Sequence, residues 1–97
     1  MYGTIAKMKV KPGKLDDLRE IMSMDGGHTP GGAVSLSILQ MDADANEIWV
    51  VAISESREAY RAYSESPESN ERYQQMSDWL EAEPEWHDGE VLRHESV

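Results

Sequence analysis

Three histidines, His28, His87 and His94, come first among the residues that could carry chemistry, because imidazole is the side-chain type best suited to move protons at neutral pH and to hold a metal. His94 is the first candidate base, on condition that a strand turns its ring under the helices; a partly exposed strand histidine is the plain alternative. His87 lies in Trp86-His-Asp-Gly89, where a functional role would put it at a cavity mouth or a subunit seam. Metal chemistry has little to build on. The histidines form neither H-x-H nor H-E-x-x-H, and there is no cysteine to complete a ligand set. Nucleophilic hydrolysis lacks both a G-x-S-x-G serine and a thiol. Asp16 and Asp17 are paired carboxylates on the wet side of a helix, where solubility is the expected role.

These residues need elements to hold them. Tyr2 to Val10 alternates as a strand, and Lys11-Pro-Gly13 ends it. Leu15, Leu18, Ile21 and Met22 then fall on one side of an amphipathic helix running from Lys14 to about Met24. Asp25 to Gly32 is a loop with four glycines, but it matches no phosphate-binding pattern and leads into a strand. Ala33 to Ser54 reads as a hairpin: Val34, Leu36 and Ile38 alternate with serines, Asp42-Ala-Asp-Ala-Asn46 is a polar turn, and Ile48 to Ile53 is apolar at every position. Ser54 or Ser56 caps a helix with Ala59, Tyr60, Ala62 and Tyr63 on its inner side, interrupted at Ser66-Pro67. A second helical piece carries Tyr73, Met76, Trp79 and Leu80. Trp86 to Gly89 is expected as a turn, with Trp86 plugging the edge of the core, and Glu90 to Glu95 as the last strand.

The order β-α-β-β-α-β predicts an α+β, ferredoxin-like fold: a four-stranded antiparallel sheet with helices on one face, formed by residues 1–97 as one domain. Its other face would expose the apolar side chains of the hairpin strands, so a homodimer packing sheet against sheet is expected. Net charge is −10, with residues 1–54 at −2 and residues 55–97 at −8. Such a surface repels phosphate backbones and argues against nucleic acid. No run of about 18 apolar residues or leader pattern is present, so no membrane span is expected and a cytoplasmic site is the default.

Several strings together resemble the antibiotic biosynthesis monooxygenase domain of the dimeric α/β-barrel superfamily. They are Val10-Lys-Pro-Gly13, Pro30-Gly-Gly32, Ile48-Trp-Val-Val51 leading to Glu55-Ser56, and Ala59-Tyr-Arg-Ala-Tyr63 followed by Ser66-Pro67. The resemblance covers nearly the whole chain and rests on structural positions. It implies a homodimer with a cavity between sheet and helices, where several relatives oxidise aromatic polyketides or quinols with molecular oxygen and neither metal nor flavin. One branch degrades haem instead. Aligned on Pro67, its axial histidine falls at Arg72, its helix tryptophan at Tyr63 and its first-strand asparagine near Ala6; arginine offers iron no lone pair, so haem is not expected.

Oxygenation without a cofactor needs a base, an apolar pocket and a polar group to steady an anion. Tyr60, Tyr63, Tyr73, Met76 and Trp79 can wall such a pocket, although their periodicity alone reads as plain core. Arg72 can steady an anionic substrate, but Glu68 and Glu71 make a surface ion pair the expectation. The resulting reading is a cofactor-independent monooxygenase-like oxidoreductase acting on a phenolic or quinol-type small molecule. The alternatives are a non-catalytic small-molecule-binding or accessory member of the superfamily, or an isomerase built on it.

Overall fold

In the computed structural model, residues 1–21 and 32–95 are described. The elements follow in the order β1 (Tyr2–Lys9), α1 (Leu15–Ile21), β2 (Ala33–Met41), β3 (Asp44–Ser54), α2 (Arg57–Ser64), α3 (Pro67–Ser77) and β4 (Glu85–Glu90). Every strand pairing is antiparallel, and the sheet order is β2-β3-β1-β4. This is the expected ferredoxin-like α+β arrangement, with the second helix divided in two. The division comes from local chemistry. Ser56 Oγ accepts the Ala59 N–H at 3.1 Å to start α2, and Ser66 Oγ accepts the Ser69 N–H at 3.2 Å with Pro67 at the first turn of α3.

Period-two geometry assigns each strand residue to a face. Ala6 pairs with Val50 and Met8 with Ile48, and all four are buried beneath the helices with Val10, Leu18, Met76 and Leu80. Burying side chains of this size contributes about 1.5–3 kcal/mol each, which fixes the sheet under α1 and α3. The intervening residues Ile5, Leu39, Trp49, Val51 and Ile53 form the other face, where Ile5 is 41% and Leu39 47% exposed. Lys7 Nζ lies 4.5 Å from the centroid of the Trp49 ring there, covering part of it with a cation–π contact. Gly32, at φ +80°, allows β2 to start against α2: a Cβ at that position would stand 2.7 Å from that of Ala59.

Three expectations about boundaries change. The last strand is Glu85–Glu90 rather than Glu90 to Glu95, because Trp86, His87, Asp88 and Gly89 pair with Ala6, Ile5, Thr4 and Gly3. The turn preference of Asp-Gly yields to a complete ladder along β1. Similarly, β3 begins at Asp44, leaving Asp42-Ala43 as the connection where a longer turn through Asn46 was expected. Finally, α3 stops at Ser77, so Trp79 and Leu80 lie beyond it. The backbone there pairs with the end of β1 instead: Lys11 N donates to the Trp79 carbonyl at 2.8 Å and Glu81 N to the Lys9 carbonyl at 2.9 Å. The expected last turn of α1, and the loop holding His28, fall on residues 22–31, outside the described residues. No helix among the described residues is long and apolar enough to cross a membrane.

Candidate functional site

Between the inner face of the sheet and the helices α2 and α3 lies a cavity of about 580 Å³. That volume is in the range of pockets for small organic ligands. Its floor comes from Thr4, Met8, Leu36, Val50 and Ala52, and its helical wall from Tyr60, Tyr63, Arg72, Tyr73 and Met76. Five of the six side chains expected to bind substrate are therefore brought together. The sixth, Trp79, packs against the core without lining the cavity, since it stands past the end of α3.

The two histidines among the described residues are placed elsewhere. His87 belongs to the outer face, opposite Ile5, and its Nε2 lies 2.8 Å from Glu85 Oε1. His94 follows β4 in irregular chain and is exposed, because the strand that was to turn it inward ends at Glu90. Neither lines the cavity.

Asp88 occupies the position those histidines leave unfilled. Period-two alternation puts it on the inner face, two residues after Trp86, and both line the cavity. Trp86 is 47% exposed, a rim residue rather than the core plug expected. Asp88 Oδ1 accepts the Thr4 hydroxyl at 2.6 Å and the Tyr60 phenol at 3.1 Å, so β1 and α2 orient the carboxylate jointly. Oδ2 has no protein partner among the described residues. Burial pushes the Tyr60 phenol above its ordinary value; the hydrogen bond with Thr4, next in size, works the other way, and the charge and hydrogen bond of Asp88 add to the rise. Tyr60 thus remains a proton donor through the neutral range. Its ring meets that of Tyr2 at 5.4 Å between centroids, and the Arg57 guanidinium lies 5.3 Å from the Tyr2 centroid.

One helical turn on, Tyr63 Oη accepts a hydrogen bond from Arg72 Nη1 at 2.9 Å. This overturns the surface ion pair expected for Arg72: among the described residues it has no carboxylate partner, although Glu68 and Glu71 are its helix neighbours. The side chain crosses to α2 and into the cavity. Thr4, Asp88 and Trp86 are among the lining residues that sequence reasoning missed. A strand assignment one turn earlier at 85–90, with Trp86 and Asp88 at alternate positions, was the signal available.

Among solved structures, the chain is similar to a Chloroflexus aurantiacus J-10-fl protein named for the antibiotic biosynthesis monooxygenases, with 25% identity, a TM-score of 0.81, and 99% of this chain and 97% of that one covered. It also shares its fold with Rv0793 from Mycobacterium tuberculosis, at 18% identity and a TM-score of 0.78 over 98% of both chains. A mutant of SnoaB, a cofactor-independent oxygenase from Streptomyces nogalater, superimposes with a TM-score of 0.79 at 10% identity, covering 96% of this chain and 94% of that one. No curated protein matches. The sequence profile described as "Antibiotic biosynthesis monooxygenase" matches residues 1–75, from β1 into α3, and through that match the chain belongs to the antibiotic biosynthesis monooxygenase family.

Proposed function

We propose that this protein is a cofactor-independent monooxygenase of phenolic or quinol-type small molecules, working in the cavity between the sheet and α2–α3. The observation that carries the reading is Asp88: a carboxylate at an apolar cavity, oriented by Thr4 and Tyr60, with one oxygen free of protein partners among the described residues. The oxygenase named among the structural neighbours supports the same class of chemistry.

In this proposal, Asp88 Oδ2 accepts the proton of an acidic substrate hydroxyl, and Tyr60, still protonated, then turns its one O–H from Asp88 Oδ1 to the oxygen that becomes negative. The electron-rich anion then reduces dioxygen directly. A C–O bond forms at an activated ring carbon bearing hydrogen, and the resulting hydroperoxide loses water. A phenol and one dioxygen thereby give a quinone and one water, with all four electrons drawn from the substrate. The aromatic and thioether walls hold the ring and shield the anion from solvent.

We further propose that the protein works as a homodimer, with the outer faces of two sheets covering Ile5, Leu39, Trp49, Val51 and Ile53. The exposure of Asp88 favours a second reading, in which the cavity binds its ligand without turnover. Dissolved-oxygen measurements with a panel of hydroquinones and anthrones separate the two. Uptake above the buffer rate that falls in Asp88→Asn supports the oxygenase; ligand-dependent gains in melting temperature with uptake at the buffer rate reject it in favour of the binding module.

A further inference from the structure

The cavity carries two formal charges, and they lie on different elements: Asp88 on β4 and Arg72 on α3. They do not neutralise one another, since no ion pair joins them among the described residues. Each is held by a tyrosine of α2. Tyr60 donates to Asp88, and Tyr63, one turn later, accepts from Arg72. The remaining lining is hydroxyl, amide or apolar.

A chain with 19 acidic and 9 basic side chains offers Arg72 many possible partners. One of them, Glu68, is four residues earlier on the same helix, a spacing that commonly gives surface pairs. The guanidinium instead reaches the cavity and spends one N–H on a neutral phenol. A guanidinium has five donors in a planar fork, suited to two parallel bonds to a carboxylate, and in an apolar surrounding such bonds are stronger than neutral ones. Ser69 and Asn70, from the first turn of α3, line the same wall and add polar groups beside it.

We infer that the ligand of this cavity is an aromatic acid: a phenol or quinol bearing a carboxylate that pairs with Arg72 while the hydroxyl to be deprotonated lies toward Asp88 and Tyr60. This rests on the proposal that the cavity is the substrate site, and extends it from phenols in general to acidic ones. Two opposite charges held apart also orient the ring, because reversing the ligand would set its carboxylate against Asp88.

The test is a binding experiment that needs no turnover. The intact protein is titrated at about 150 mM salt, where the Debye length confines the effect to close contacts, with 6-hydroxy-2-naphthoate, whose hydroxyl and carboxylate lie at opposite ends of the ring system, and with its neutral 2-carboxamide, using calorimetry. The acid is expected to bind at least about tenfold more tightly than the amide, the ratio that a charge-assisted bond gives over a neutral one. Arg72→Gln, checked for an unchanged melting temperature, should bring the acid to the affinity of the amide, with Arg72→Lys between the two. If Arg72→Gln does not fold, Tyr63→Phe supplies the second variant, and it should reduce the acid's advantage while sparing the amide. Equal affinities in the unaltered protein, equal losses for both ligands in Arg72→Gln, or no binding of either would overturn the inference. Preferential acid binding without oxygen uptake would leave it standing and reject the oxygenase reading alone.

Discussion

The two faces of the sheet are made by alternate residues of the same strands, yet they have become different kinds of surface. On the inner face, Thr4, Ala6 and Met8 meet Ala52, Val50 and Ile48, and the side chains close into a core that opens at one end into a cavity. On the outer face, Ile5 and Lys7 meet Val51 and Trp49, and Ile5 is left 41% exposed. His87 and Asp88 make the contrast within two consecutive residues. The histidine, with the more suitable intrinsic pKa, is turned away from the cavity, and the aspartate is turned toward it. Direction from the backbone therefore outranks residue type in deciding which group can act.

The contrast is most severely tested in the core. Ile48→Ala, at a site 1% exposed, should cost about 2–5 kcal/mol in urea unfolding. A loss as small as that of a surface substitution would mean that the inner face is not the packed one. The next largest effect is expected at Asp88. Asp88→Asn should lower oxygen uptake about 100-fold, whereas His87→Ala should leave uptake within experimental error; the reverse ranking would exchange the roles of the two faces.

For the outer face, Leu39→Glu places a charge where the proposed partner sheet packs. The protein should then sediment at 11.0 kDa under conditions where the unaltered chain sediments at about twice that, in keeping with the cost of burying an unpaired carboxylate. A monomeric unaltered chain would remove the dimer proposal.

The smallest effect sharpens the description of the inner face. The Tyr60 phenol is raised above the ordinary tyrosine value of 10.0, with burial as the first cause. Because the folded value is the higher one, the contribution of this group to stability is fully present below pH 10.0 and is lost as pH rises through the folded value. An ultraviolet titration should therefore show a phenolate component above pH 10.0 that Tyr60→Phe removes; the same curve for both proteins would place Tyr60 in ordinary solvent.

What the sequence determined by itself was the alternation of β1, the apolar hairpin, a helix cap at Ser54 or Ser56, and the break at Ser66-Pro67. From these the ferredoxin-like order could be read, and with it that Tyr60, Tyr63, Tyr73 and Met76 lie on the inner side of their helices, because helix and strand periods are local properties. The course of residues 79–90 was decided only by the tertiary structure. Asp88-Gly89 is a turn signal, and it was overruled by a long-range ladder to β1, from the other end of the chain. That one shift in register replaced His94 with Asp88 as the candidate base. A side chain's face depends on which partner strand sets its register, and no local pattern contains that information. The turn of Arg72 away from Glu68 and toward Tyr63 has the same origin: it required α2 and α3 to be packed side by side before a phenol stood within reach.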